Sequence, residues 1–358
     1  MSEVRRPCHL EIAAIPKILI RSVNWIGDAV MTTPAIGVVR EQFPKSEITL
    51  LANPLVSELF TPHEFVDRVI TFDSKGAHKG IIGRLRLAGE IRRQNFDVAI
   101  ILPNSFDSAL VPWLAGIPVR LGKRSDGRSL LLTHSYAASD RPGRHEVKYY
   151  LDLLGYFGIK GRTTSPNLTT THEEERHAAT LLNDHGIGEQ DFVLGINPGA
   201  SYGSAKRWYP ERFADLALRL AKEWNAKVIV FGSTGEKDIA AAIEQLMAGN
   251  CLNLCGSTGV RELMALIRRC DFFITNDSGP MHIAAAFGVP LVAIFGPTDH
   301  KGTSPYNCKA TVVRKDVPCA PCKLRECPTD HRCMIAVTAD DVVEAAIALR
   351  KQLATLKE

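Results

Sequence analysis

Short apolar runs alternate with longer stretches in which apolar positions recur at helical spacing. In the first half the runs lie at 17–21, 48–51, 69–72, 98–102 and 119–121, with helical patterns at 28–43, 82–94 and 108–115 between them. Strand followed by helix followed by strand is the grammar of a parallel sheet. After a helical stretch at 146–157, residues 158–166 are rich in glycine, threonine, serine and proline and read as a linker. A second series follows, with strands at 192–197, 227–231, near 252, 271–275 and 291–295, and helices at 173–185, 210–224, 236–247, 260–268 and 338–353. The expected fold class is α/β, with a Rossmann-like domain over 1–165 and a second over 166–337. A C-terminal helix over 338–358 is expected to pack back on the first domain.

Tandem domains of this kind present the carboxyl ends of two parallel sheets, and ligands bind beyond such ends. The expected arrangement is two domains facing each other across a cleft. The stretch Thr275-Asn276-Asp277-Ser278-Gly279-Pro280-Met281-His282 has the form of a strand end, a tight turn and a helix start. Asp277 or Ser278 could cap that helix, and Pro280 fits its first turn. Free backbone N–H groups and the positive dipole end suit an anion, and Gly279 permits close approach. Any strand-to-helix turn in such a fold shares part of this pattern.

Composition adds limits. A chain of 358 residues exceeds the usual size of one core, and 45% hydrophobic with 23% charged residues is ordinary for a globular protein. No apolar stretch is long enough to span a bilayer, and the first 17 residues include Arg5, Arg6 and Glu11 without an apolar leader core. A cytoplasmic protein is expected. The net charge is only +4, but eleven Lys or Arg face five Asp or Glu between positions 79 and 144. Arg120, Lys123, Arg124 and Arg128 form the densest part, suited to an acidic substrate, a membrane surface or simple solvation.

Four loops of the second domain share polar, phosphate-compatible chemistry. Residues 198–208 are small and polar and then cationic at Lys206 and Arg207; 232–236 bring Glu236 to a helix start; 276–282 supply helix amides; 295–299 close the set. A lysine beside helix amides neutralises a diphosphate without a metal, and a carboxylate accepts ribose hydroxyls. A nucleotide diphosphate fits these residues together. Neither a Walker-type G-x-x-x-x-G-K-[ST] nor a G-x-G-x-x-G after the first strand is present, against a P-loop kinase or a typical dehydrogenase. In the first domain, Asp28 at the start of a helix is either a cap or dipole partner, or a general base.

Trp25 to Pro34 (W-I-G-D-A-V-M-T-T-P), Asn197 to Trp208 (N-P-G-A-S-Y-G-S-A-K-R-W) and Asn276 to Ala286 (N-D-S-G-P-M-H-I-A-A-A) resemble the family 9 glycosyltransferases, and within them the ADP-heptose:lipopolysaccharide heptosyltransferase II enzymes. The resemblance implies a GT-B fold. It also implies an inverting transfer of L-glycero-D-manno-heptose from ADP-heptose to the first heptose of the lipopolysaccharide inner core, with no metal or other cofactor. By the family pattern Asp28 would deprotonate the acceptor and Lys206 would hold the diphosphate. Glu236 would bind the ribose, and Asp277, Ser278, Gly279 and His282 would line the pyrophosphate and sugar. Ser201 falls where related enzymes place a small hydroxyl residue near the phosphates. Arg120, Lys123, Arg124 and Arg128 would then meet the acidic groups of the lipopolysaccharide acceptor. Peripheral contact with the inner membrane surface is expected, and no nucleic-acid partner. The alternatives are addition of the first heptose, as a heptosyltransferase I does, and another GT-B enzyme using a different nucleotide sugar. A two-lobed periplasmic binding protein would need an export signal.

Nine cysteines in such a chain do not imply a disulfide framework. Cys8, Cys251, Cys255, Cys270 and Cys308 are scattered and expected to be reduced. Cys319, Cys322, Cys327 and Cys333 form C-x2-C-x4-C-x5-C, and structural metal, a local disulfide and free thiols all stay open.

Overall fold

In the computed structural model, which describes residues 15–137 and 143–355, the chain forms two units that divide between Thr169 and Thr170. The expected boundary at 165 lies just before this point. Cys8 and the N-terminal residues discussed above lie outside the described residues.

The first unit runs β1 (Lys17–Arg21), α1 (Ile26–Gln42), β2 (Glu47–Ala52), α2 (Pro54–Leu59), β3 (Arg68–Thr71), α3 (Gly80–Arg92), β4 (Val98–Ile101), α4 (Phe106–Leu114), β5 (Val119–Lys123), β6 (His134–Tyr136) and α5 (Glu146–Tyr156). Every neighbour in the sheet order β3-β2-β1-β4-β5-β6 is parallel. The direction of strand addition reverses between β1 and β4, so this is the crevice where such sheets hold ligands. Ile18, Leu19, Ile20, Leu50, Leu51 and Ile101 are buried because helices cover both faces, which is why these strands are apolar runs rather than alternating ones.

Helix α1 contains Pro34, whose missing N–H leaves the Val30 carbonyl without its helical donor. The Thr33 hydroxyl donates to that carbonyl at 2.8 Å and repairs the gap. The same hydroxyl accepts the Asn167 amide at 2.9 Å, pinning the end of the unit to α1.

The second unit runs α6 (His172–Asp184), β7 (Phe192–Asn197), α7 (Pro210–Trp224), β8 (Ala226–Val230), α8 (Lys237–Leu246), β9 (Leu252–Asn253), α9 (Val260–Arg269), β10 (Phe272–Asn276), α10 (Gly279–Ala286), β11 (Leu291–Ile294), α11 (His300–Thr303), β12 (Ala310–Val313), α12 (Arg332–Ile335) and α13 (Ala339–Thr355). Its order, β12-β11-β10-β7-β8-β9, repeats the connectivity of the first sheet and again reverses between its first and fourth strands, β7 and β10. Val342, Val343, Ala346 and Leu349 of α13 join one core with Trp208, Phe213, Leu220 and Ile294. Helix α13, expected to pack back on the first domain, contributes instead to the core of the second unit. Strands β6 and β12 and helix α2 carry no clear signal in the sequence, because they are short elements and both strands lie at sheet edges.

The structure breaks up the basic cluster. Arg128 is fully buried, and its guanidinium donates to the carbonyls of Lys123, Pro103 and Ser105 and to the Ser108 hydroxyl at 2.8 Å. Arg120 donates to the carbonyls of Leu131 and Ile117. Both residues tie loops to the sheet, and full burial takes Arg128 out of any acceptor surface and lowers its pKa, while Arg120 stays half-buried. Lys123 is half-buried with its ammonium 5.5 Å from the Tyr149 ring, and Arg124 is exposed. Truncation of Arg128 orphans several carbonyls, so Arg128→Ala is expected to lower the stability of the first unit by about 3 kcal/mol. Arg124→Ala is expected to stay within about 0.5 kcal/mol of the parent. Urea unfolding followed by Trp25 and Trp113 fluorescence, with Trp208 and Trp224 replaced by Phe, separates these outcomes.

Candidate active site

Two asparagines organise the carboxyl edge of the second sheet. Asn276, fully buried at the end of β10, donates to the Pro198 carbonyl at 2.6 Å and accepts the Trp208 amide at 3.3 Å. It therefore holds both ends of the 198–208 loop. Asn197 at the end of β7 donates to the Gly199 carbonyl and to the Ser278 hydroxyl, each at 3.2 Å.

That second bond changes the role of Ser278. It occupies the N-cap position of α10, but its hydroxyl meets Thr275 and Asn197 and makes no capping bond. The expected serine or aspartate cap is absent, and Pro280 in the first turn has no N–H to satisfy. The start of α10 keeps its dipole and uncapped amides for a ligand. Gly279 begins this helix, and His282 lies buried within it.

Lys206 and Asp277, far apart in sequence, form a largely buried ion pair at 2.7 Å. The Thr298 hydroxyl donates to the same Asp277 oxygen at 2.6 Å. The Lys206 ammonium also stands 4.9 Å from the Tyr202 ring centroid, and the Arg325 guanidinium carbon lies 5.2 Å from it. Ser201 is exposed in the turn just before Tyr202.

Glu236 sits one loop away. One carboxylate oxygen accepts the Ser233 amide at 2.7 Å and the Ser233 hydroxyl at 2.8 Å, forming a capping box. The other oxygen is buried without a hydrogen bond, its ion-pair partner Arg207 being 3.9 Å away. A β-carbon at Gly199 would come within 2.1 Å of this carboxylate, so the glycine is what lets the two loops meet. The side chain serves both as a cap and as a ready acceptor for a ligand hydroxyl.

The cysteine-rich segment buttresses the lysine loop through its backbone. The Ala205 amide donates to the Arg325 carbonyl at 2.9 Å, the Tyr202 hydroxyl to the Lys323 carbonyl at 3.0 Å, and His331 Nε2 contacts the Ala205 carbonyl at 2.7 Å. Cys319, Cys322, Cys327 and Cys333 are free thiols, and no group of three or more metal-ligating side chains occurs among the described residues. Burial raises the Cys333 thiol, and the neighbouring Cys319, Cys322 and Cys327 push it further.

In the first unit Asp28 is half-buried in the first turn of α1, two residues inside the helix start; the N-cap is Trp25. The buried Tyr150 phenol is held well above its usual pKa by desolvation first and then by the charges of Asp28 and Glu146, so it stays neutral. The loop before Asp28 is fixed by Arg21, a buried guanidinium lowered to about 10 by burial, which donates to Asn24 at 3.3 Å. Arg21, Asn197, Asn276, Tyr202, Thr298 and Arg325 were not expected as site residues. Arg325 had no signal at all, since it acts from a segment whose sequence draws attention only to its sulfurs.

The family profile for glycosyltransferase family 9 (heptosyltransferase) matches residues 84–332. The chain belongs to glycosyltransferase family 9. The match spans the whole carboxyl edge of the second sheet just described and begins after Asp28. Lipopolysaccharide heptosyltransferase 2 of Escherichia coli K12 is 33% identical over 310 residues, covering 83% of this chain and 88% of that protein. Lipooligosaccharide heptosyltransferase 2 of Campylobacter jejuni serotype O:2 is 30% identical across 94% of this chain and 98% of its own length. Among solved structures, the ADP-heptose heptosyltransferase II of E. coli superposes with a TM-score of 0.80 at 30% identity, covering 94% of this chain and 99% of that one. A family 9 glycosyltransferase from Veillonella parvula gives 0.88 at 26% identity, with 95% and 98% covered. The two parallel six-stranded sheets are thus the GT-B architecture of this family.

Removing the ammonium of the buried pair leaves Asp277 desolvated without its counter-ion. Lys206→Met is expected to lower the stability of the second unit by about 3 kcal/mol, and Lys206→Met with Asp277→Asn to recover most of it. Urea midpoints read through Trp208 and Trp224 check this; a double variant no more stable than the single one contradicts it.

Proposed function

We propose that this family 9 enzyme transfers L-glycero-D-manno-heptose from ADP-heptose to the first heptose of the lipopolysaccharide inner core, heptosyl-Kdo2-lipid A, on the cytoplasmic face of the inner membrane. The observation that carries the donor half is the junction of Lys206, Asp277 and the uncapped start of α10 with the orphaned Glu236 oxygen one loop away. A nucleoside diphosphate uses all of them at once. The α10 amides and Lys206 take the diphosphate, and Glu236 accepts a ribose hydroxyl. Ser278, Gly279, His282 and Ser201 line the phosphates and sugar. The heptose and the adenine come from the similarity to the heptosyltransferases named above.

In the reaction the acceptor hydroxyl oxygen attacks the anomeric carbon as the bond to the β-phosphate oxygen breaks. The proton passes to Asp28 and the electron pair leaves with ADP. Negative charge develops on the β-phosphate, where Lys206 and the helix dipole stabilise it without rearrangement. A single displacement of this kind inverts the anomeric centre, as opposed groups do in inverting glycosidases. In the resting state Asp277, itself held by Thr298, keeps Lys206 in place, so a metal ion is not required to gather charge at the diphosphate.

Turnover of ADP-heptose with heptosyl-Kdo2-lipid A is the direct test. Asp28→Asn is expected to lower kcat by about a thousandfold or more while ADP affinity stays within about twofold of the parent. Full activity in Asp28→Asn removes the base assignment.

A further inference from the structure

The carboxyl edge of the first sheet, which carries Asp28, is also the most apolar exposed region of that unit. Ile81 and Ile82 in the first turn of α3 are 79% and 77% exposed, and Leu85 one turn on is 51% exposed. The start of α4, after β4, adds exposed Phe106. Because all six strands are parallel, the segments that follow β3, β4 and β5 emerge at one edge. The Arg84–Asp107 ion pair, 2.6 Å, joins the start of α3 to the start of α4 and brings Ile81, Ile82 and Phe106 into one neighbourhood.

Cations surround this patch. Between positions 72 and 86 there are four Lys or Arg against one acid, Asp73. Lys75, Lys79 and Arg86 are exposed. The acids are turned to internal work: Asp73 accepts the amides of Lys75, Gly76 and Ala77, Asp107 pairs with Arg84, and Asp126 accepts the Phe106 amide at 2.7 Å. Bulky apolar side chains at a helix start, ringed by lysine and arginine, match the boundary of an anionic bilayer, where apolar groups enter the acyl region and cations meet phosphate. A second copy of the chain is the poorer occupant, because its patch would bring the same positive ring against this one.

We infer that the Ile81–Ile82 turn of α3, with Leu85 and Phe106, is a wedge that seats the acceptor-binding unit on an anionic phospholipid surface. This rests on the proposal that the acceptor is a membrane-embedded glycolipid. It gives the enzyme a means of meeting the sugar of such an acceptor at the headgroup level. The wedge docks the protein and takes no part in the chemistry.

Full-length protein is sedimented with phosphatidylglycerol–phosphatidylethanolamine vesicles and, as the uncharged control, with phosphatidylcholine vesicles. The wild type is expected to bind the anionic vesicles and to release with salt. Ile81→Ser with Ile82→Ser, and Lys79→Glu with Arg86→Glu, are each expected to bind about tenfold more weakly. Both double variants should match wild-type turnover on a water-soluble, delipidated core acceptor, which also shows that they fold. A wild type that ignores anionic vesicles, or an isoleucine double variant that binds them equally well, overturns the inference. So does a wild-type dimer that becomes a monomer in that variant by sedimentation velocity, since the patch would then belong to a second copy. Absence of wild-type turnover on the soluble acceptor would instead strike the heptosyl-transfer proposal, because the vesicle arm does not depend on catalysis.

Discussion

A lysine and an aspartate that are seventy-one positions apart, Lys206 and Asp277, meet in a nearly dry environment at the edge of the second sheet. Two charges out of water are costly unless their geometry is fixed from several sides. The surrounding structure supplies that fixation. Asn276 clamps both ends of the lysine loop, Thr298 holds the aspartate, and the backbone of the 319–333 segment braces Ala205. The uncapped start of α10 adjoins the same pair because Asn197 draws the Ser278 hydroxyl inward. Preorganised positive charge at a helix start is the common consequence of these separate bonds.

Much of this edge was legible in the sequence. Parallel strands send every following loop to one side, so placing the strands placed residues 198–208, 232–236, 276–282 and 295–299 together. What stayed hidden depends on rotamers and burial that spacing does not encode. Ser278 has the residue type and position of a cap and yet is not one. Arg128 belongs to the densest basic stretch and yet is wholly interior, because the carbonyls of the loops after β4 and β5 need a donor more than the surface needs a charge. The 319–333 segment advertises thiols, whereas its contacts with the lysine loop run through main-chain atoms, Arg325 and His331. Short edge strands such as β6 and β12 lack the continuous apolar run that marks buried strands.

The arginines of the first unit divide by environment rather than by sequence position. Arg21, Arg120 and Arg128 spend their donors on carbonyls, Arg21 and Arg128 at the carboxyl edge and Arg120 at the start of β5. Arg86 and Arg124 remain at the surface, where charge acts through the field it casts on anionic partners. One residue type thus serves both the framework and the solvated surface, and only burial tells the two uses apart.

The proposed diphosphate site, the α10 start with Lys206, needs no metal. Calorimetric titration of ADP and of AMP into the protein in the presence of EDTA tests it most directly. ADP is expected to bind at least about tenfold tighter than AMP, because the β-phosphate adds charge-assisted bonds to Lys206 and the helix amides. Equal affinity for ADP and AMP, or ADP binding that appears only when magnesium is restored, contradicts it.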